Sequence, residues 1–379
     1  MSMTSKRVAH AKALAAAPLS NAYIGLIRYW RDLPKWARGV GYLAAMGVAL
    51  LLPAQSIGNF MAPQSDWRTI LFYPIGTYIL LALGLNIVVG LAGMLDLGYV
   101  AFFAIGGYVM AILGVNFNWS FWEILPVGVG LAALSGVILG APTLRLRGDY
   151  LAIVTLGFGE IIQRVANNLT FTGGPTGISG IPHPPSINAI PAFTYGVLDA
   201  RPYYYLELVM IAIVIFFSAR LEKSRVGRGW VALREDEDAA ELMGVPTFAF
   251  KIWAFAIGAS VGGLSGVVYA AKVIAITPEN YPLLLSVLIL VCVVLGGSGN
   301  RVGVILGAFL VAWLPERFRG LDAYRILIFG ALLVAMMIFR PGGLLPANRR
   351  RAELLEGRGG GSPLGAEIDN AQLPPEPEV

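Results

Sequence analysis

The chain is short of the residues from which metal centres and soluble enzymes are usually built. Its 379 residues include one cysteine, Cys292, and two histidines, His10 and His183. A single thiol excludes an internal disulfide and any multi-cysteine site, and two distant histidines exclude motifs of paired imidazoles. No metal site is expected, and Cys292, within LLLSVLILVCVVLGG, reads as a small inert thiol. Charge is also scarce, at 13% of residues, where soluble domains carry about a quarter. None of the six lysines follows a glycine, so no G-x-x-x-x-G-K-[ST] phosphate loop exists. We expect a non-catalytic chain without a bound cofactor. The net charge of +5 is distributed beside apolar runs, which fits membrane orientation and not nucleic acid.

Apolar residues are abundant, at 56%. Segments such as GTYILLALGLNIVVGLAGML, 76–95, are apolar on every face and match the ~20 residues that cross a hydrocarbon core. The alternation of a membrane β-barrel strand is missing. The expected fold class is all-α: a polytopic helical membrane protein with about ten transmembrane helices. Candidate spans run at 39–54, 70–90, 97–114, 122–141, 150–167, 203–219, 252–275, 283–297, 302–314 and 324–339. Basic residues flank alternate ends of these spans: Arg28, Arg31, Lys35 and Arg38, then Arg145 and Arg147, then Arg220 to Arg234, then Arg340 and Arg349 to Arg351. The positive-inside rule places those loops and both termini in the cytoplasm; Arg317 and Arg319 alone dissent. The fifth and ninth spans are short and glycine-rich, which makes them the candidates for a broken or re-entrant helix. Two inverted five-helix halves would suit a transporter, but no internal repeat is evident.

Three regions frame this domain of 39–345. Residues 1–38 read as a basic, uncleaved cytoplasmic extension on the membrane surface. Residues 168–202, rich in Gly and Pro, are too long for a simple connection and are expected outside. Residues 346–379 form a cytoplasmic tail rich in Gly, Pro and acid, which buries too little apolar surface to order itself.

One stretch departs from its surroundings. RVGRGWVALREDEDAAELMGVPTFAFK, 225–251, holds Glu235, Asp236, Glu237, Asp238, Glu241 and three arginines between two apolar runs. From Gly229 to Met243 it is built of helix formers, with Gly244 placed as a C-terminal cap and Pro246 as a stop. Trp230, Leu233, Ala240 and Met243 would form an apolar stripe. Taken alone, this is a solvated surface helix or one laid into a partner's groove. Glu160 and Arg164 are four apart and share a helix face, either as a structural ion pair or along a pathway. Asp96 is placed to cap the third span. The glycines of GLAGMLDLG, AIGGY and GASVGGLSG suit close helix packing.

The charged stretch carries a family likeness. Asp238-Ala239-Ala240, followed after three residues by Gly244, resembles the EAA–G coupling motif of ABC importer permeases, with Asp replacing Glu. GRGWVALREDEDAAELMGV is similar to the corresponding loop of branched-chain amino-acid permeases of the LivM type. GLAGMLDLGYVAFFAIGGY, GAPTLRLRGDYLAIVTLGFGEIIQRVANN, LTFTGGPTGISGIP, VLGGSGNRVGVILGA and IFRPGGLLP extend the resemblance over roughly 75–345. It implies an ABC importer permease fold in a bacterial plasma membrane. The implied partners are a second permease, two ATPase subunits that bind ATP and Mg, and an extracytoplasmic binding protein. The implied substrate is a branched-chain or other hydrophobic amino acid. Coupling to the ATPases would run through a 229–245 helix, with Glu235, Asp236, Glu237, Asp238, Ala239, Ala240, Glu241 and Gly244 as contacts. Asp238, Ala239, Ala240 and Gly244 would form the core of that contact, and the acids would pair with basic residues. Urea or amide permeases are near relatives and form one alternative. An ion-coupled secondary transporter is another, although it normally needs buried acids at mid-membrane, and Glu160 and Glu207 lie near span ends. A passive channel is a third.

Overall fold

A computed structural model describes residues 47–54, 66–143, 149–186, 194–196, 199–317 and 343–345, with single residues at 58, 61, 327, 330, 331 and 334. The first and last expected spans, the basic extension and the tail lie largely outside these residues. The rest is helical. α1 (Trp67–Leu91) is followed by α2 (Val100–Asn116), α3 (Phe121–Thr143) and α4 (Asp149–Asn168). α5 (Arg201–Glu222) leads into two short helices, α6 (Arg225–Glu235) and α7 (Glu237–Leu242). α8 (Thr247–Val273), α9 (Leu283–Gly296) and α10 (Arg301–Arg317) follow. Among the described residues one two-residue ladder, β1 (Ile178–Ser179) with β2 (Ala275–Ile276), ties the segment after α4 to the end of α8. The segment is held further by Ile181 N–H donating to the Ile274 carbonyl, 3.0 Å.

Five segments among the described residues are long and apolar enough to span a membrane: Trp67–Leu91, Phe121–Ala141, Arg201–Glu222, Thr247–Val273 and Pro278–Gly296. α2 is apolar but shorter, and α4 is long but polar on one side. The described residues thus make a multispan helical protein.

α8 is the central post. Its glycines face different neighbours: Gly258 lies against Val88 of α1, Gly262 against Phe102 of α2, Gly263 against Ala132 and Gly128 of α3, and Gly266 against the Phe103 carbonyl of α2. The approach is reciprocal, since a β-carbon at Gly106 would collide with the Gly263 carbonyl. Apolar packing without such contact gains little inside lipid, where the tails are as apolar as the side chains.

Apart from a kink within α1 at Tyr73, where the backbone is extended (φ −130°, ψ 122°), two breaks in the bundle fall elsewhere than expected. α4 and α10, which cover the fifth and ninth spans, are continuous helices. The irregular stretches are 92–99, between α1 and α2, and 274–282, between α8 and α9. The first lies deep. Phe102, near the start of α2, faces Gly262, which at 1.5 Å per residue is about 22 Å along α8. Non-helical backbone is tolerated at such depth only inside protein; Asp96, Gly98 and Tyr99 are buried, while Gly93 and Leu95 nearer α1 are exposed.

Asp96 does not cap α2. Its carboxylate accepts from Gly98 N–H at 2.9 Å, while the N–H of Val100, the first residue of α2, goes to Ser286 Oγ of α9 at 2.9 Å. A side chain distant in sequence thus replaces the local cap, which no local pattern could have announced.

The glycine seam predicts unequal tolerance. Gly106→Val must move backbone, at a cost on the order of 1–3 kcal/mol or more. Gly130→Val enters open space on α3. In a thermal-shift assay of the detergent-purified protein, the first variant should melt markedly lower and the second should match wild type. Equal midpoints would contradict the seam.

Candidate functional site

The charged stretch folds as two helices, not one. Asp236 is extended (φ −156°, ψ 116°) and ends α6, and its Oδ1 accepts from Ala239 N–H at 3.0 Å to cap α7. Asp is a strong N-cap, and Glu237 and Asp238 in the first turn suit the positive helix end. The expected continuous 229–243 helix is therefore broken at Asp236. The cap at the other end is as expected. Gly244 is left-handed (φ 80°), Gly244 N–H donates to the Glu241 carbonyl and Val245 N–H to Ala240, closing a Schellman motif.

The break resets the helical phase, and the expected stripe divides. Trp230, Leu233 and Ala240 are buried, Ala240 to 4% exposure, but Met243 is 84% exposed. Leu242, which sequence periodicity did not single out, is 89% exposed. Ala240 thus lies behind the surface of α7, within the chain. The surface itself is formed by Asp238, Ala239, Glu241, Leu242, Met243 and Gly244.

Both short helices are fastened to the bundle. Trp230 Nε1 donates to the Phe250 carbonyl at 2.7 Å, and Lys251 Nζ lies 2.5 Å from Glu237 Oε1. Glu237 therefore tethers α7 to Lys251 near the start of α8. The Arg234 guanidinium donates to the Gly90 carbonyl and to Ser298 Oγ, joining α6 to the end of α1 and to the α9–α10 turn. That turn is also held by Gly299 N–H on Asn86 Oδ1, 2.8 Å. A groove of about 540 Å³ opens beside α6, lined by Arg225, Arg228, Gly229, Ala232, Gly244, Val245, Pro246 and Phe250. A mobile element pushed at Leu242–Gly244 would transmit its displacement to α8 through the two-residue link Val245-Pro246 and the Glu237–Lys251 contact. Of the remaining sequence candidates, Glu235 and Asp236 lie at the α6–α7 break, both exposed.

Glu160 and Arg164 are brought together on α4, but loosely: Arg164 Nε is 4.0 Å from Glu160 Oε2, with side chains 75% and 38% exposed for Arg164 and Glu160. They are far from the charged stretch, nearer the β1–β2 end, where Gln163 Nε2 donates to the Pro278 carbonyl. One buried acid was missed. Glu207, seven residues into α5, is 1% exposed and accepts from Thr77 Oγ1 at 3.1 Å. Its position near a span end, read from sequence, hid the fact that it faces α1 and not water. Among the described residues no group of three His, Cys, Asp or Glu is placed to hold a metal.

The comparisons agree on one family. The model of the branched-chain amino acid transport system / permease component family matches residues 69–339. The high-affinity branched-chain amino acid transport system permease protein LivM of Escherichia coli (strain K12) is 42% identical over 298 residues, covering 74% of this chain and 70% of that protein. The probable branched-chain amino acid transport permease protein LivM of Methanocaldococcus jannaschii is 28% identical over 243 residues, 59% of this chain and 68% of its own length. The xylose/arabinose import permease protein XylH of Sulfolobus acidocaldarius is 25% identical over 224 residues, 56% of this chain and 58% of that one. No solved structure matches.

Burial of Ala240 beside exposure of Ala239 makes a sharp contrast. Ala240→Trp should loosen residues 225–250 and speed their cleavage in limited proteolysis of the purified protein. Ala239→Trp should leave the cleavage pattern unchanged. If both variants resist protease equally, the packing described for α7 is wrong.

Proposed function

Because the chain belongs to the branched-chain amino acid transport permease family, we propose that it is one transmembrane half of an ATP-driven importer of branched-chain amino acids. In this reading it is a multi-pass protein of a bacterial plasma membrane. Both termini and 220–250 face the cytoplasm, and the 168–202 segment faces outward, as the distribution of Lys and Arg suggests. A second permease completes the pathway. Two ATPase subunits carry ATP and Mg, and an extracytoplasmic protein delivers the substrate to the β1–β2 end.

The observation that carries the coupling role is the tip of α7. Leu242 and Met243 stand almost fully in the open, beside the left-handed turn at Gly244. Two adjacent large apolar side chains on an otherwise charged helix mark a contact surface. They would enter an apolar cleft of an ATPase subunit, with Asp238 and Glu241 at the rim. Rim charges steer and orient more than they bind, since exposed pairs contribute under about 1 kcal/mol each. Docking at the tip then acts on α8, because α7 is fastened to its first turn. ATP-driven closure of the ATPases shifts α8 with the helices packed on its glycines, a rigid-body change of the kind that underlies alternating access.

The alternatives fare less well. The relatives at 41–42% identity carry branched-chain amino acid transport in their names, which does not favour urea or amides. For ion coupling, Glu207 and Asp96 are both buried acids, but each has one carboxylate oxygen engaged by its own chain, by Thr77 Oγ1 and by Gly98 N–H.

The double variant Leu242→Asp/Met243→Asp tests the reading. It should insert and melt like wild type, fail to co-purify the ATPase subunits, and lose ATP-dependent uptake in proteoliposomes. Full uptake with the ATPases still bound would refute docking at this tip.

A further inference from the structure

One helix of the bundle presents charge where the others present only apolar side chains. Between their terminal turns, the open faces of α3, α5 and α10 carry Leu131, Leu134 and Ile138, then Val209, Ile213 and Phe216, then Leu306. These faces suit lipid. α4 is different. It runs between the two ends of the bundle, with Thr155 accepting from Leu97 N–H at 3.0 Å in its first half and Gln163 reaching Pro278 in its second. On its open side lie Ile153, Gly157, Glu160, Ile161 and Arg164, spaced i, i+4, i+7, i+8 and i+11 along one helical stripe. Arg164 and Glu160 fall about 6 and 12 Å from the end of α4 at Asn168, at 1.5 Å per residue.

Charges on a side facing lipid are expensive and belong against water or protein. The pair is also unspent. Its single approach is 4.0 Å, at the limit of an ion pair, and no other partner for the Arg164 guanidinium exists among the described residues. Below it on the same stripe, a β-carbon at Gly157 would meet nothing within 4 Å, and Ile161 is exposed. The stripe is thus a cation and an anion four residues apart, followed by an apolar notch.

We infer that this face of α4 is a wall of the translocation pathway and a transient binding step for the zwitterionic substrate. The substrate carboxylate takes the Arg164 guanidinium, in the two-pronged geometry that Arg offers and Lys does not. Its ammonium takes the Glu160 carboxylate, and its branched apolar side chain lies over Gly157 against Ile161. A site with one open side, closed by the second permease, holds substrate weakly and lets it pass. The inference rests on the proposed transport of branched-chain amino acids and adds the residues that touch the substrate.

The test uses the complete transporter, with second permease, ATPases and binding protein, reconstituted in proteoliposomes and supplied with radiolabelled leucine. Arg164→Gln should lower ATP-driven uptake by at least about tenfold, the loss expected for one charge-assisted contact, with the complex still assembled. Arg164→Lys should recover part of it, and Gly157→Trp, whose β-carbon enters open space, should block leucine. Wild-type uptake by Arg164→Gln or Gly157→Trp would overturn the inference. Full rescue by the reversed pair Glu160→Arg/Arg164→Glu would do so as well, since the two groups would then serve only each other. Loss of the second permease from Gly157→Trp during purification would make the face a subunit seam and also overturn it. Should Arg164→Gln fail to assemble, the Gly157→Trp result decides. Absence of ATP-driven leucine uptake in the wild-type complex would instead sink the proposed function itself.

Discussion

Glycines at 258, 262, 263 and 266 let α8 meet α1, α2 and α3 at backbone distance, and the rest of the architecture depends on that proximity. In lipid, helices gain nothing from hiding apolar surface, so association must come from close van der Waals contact and from polar groups that satisfy one another. Both are present here. Tyr99 Oη donates to the Gly258 carbonyl at 2.7 Å, and Ser286 takes the orphan N–H at the start of α2. A post packed this tightly cannot bend locally. A displacement applied at its first turn, where Glu237, Lys251, Trp230 and Phe250 converge, moves its neighbours with it.

The same closeness explains why a non-helical segment survives deep in the bundle. The end of the 92–99 segment is held by α4 and α8: a β-carbon at Gly98 would strike the Thr155 carbonyl, and Tyr99 packs beside Gly262. Leu97 N–H finds Thr155 Oγ1 and Gly98 N–H finds Asp96 Oδ1, so these backbone donors are met by protein and not by lipid. The bundle therefore separates two kinds of charge. Glu237 and Lys251 are paired and serve the structure, whereas Glu160 and Arg164 stand open and hold each other only weakly.

Much of this was legible before any coordinates. Continuous apolar runs announced a membrane bundle, the small residues announced close packing, and Gly244 with Pro246 marked the end of the charged helix. What periodicity could not reveal was the break at Asp236. Glu and Ala favour a continuous helix through this stretch, yet Asp236, in extended conformation, captures the Ala239 N–H and starts a new helix out of phase. That single cap turned Ala240 inward and left Leu242 and Met243 outside. Likewise, Glu207 looked like a residue near a helix end, because its partner Thr77 is 130 positions away. The long-range pairs were the hidden part, as was the deep bend at 92–99, whose apolar letters differ little from those of a helix.

The central claim is that the tip of α7 touches an ATPase subunit and transmits its motion to α8. Chemical cross-linking from Met243→Cys, in a Cys292→Ala background and in the assembled transporter, addresses it directly. The account predicts a cross-link to an ATPase subunit whose yield changes when Mg-ATP and vanadate trap the complex, with none formed from Ser179→Cys at the opposite end. A transporter that carries out ATP-dependent uptake while Met243→Cys forms no cross-link to an ATPase in any nucleotide state would contradict it.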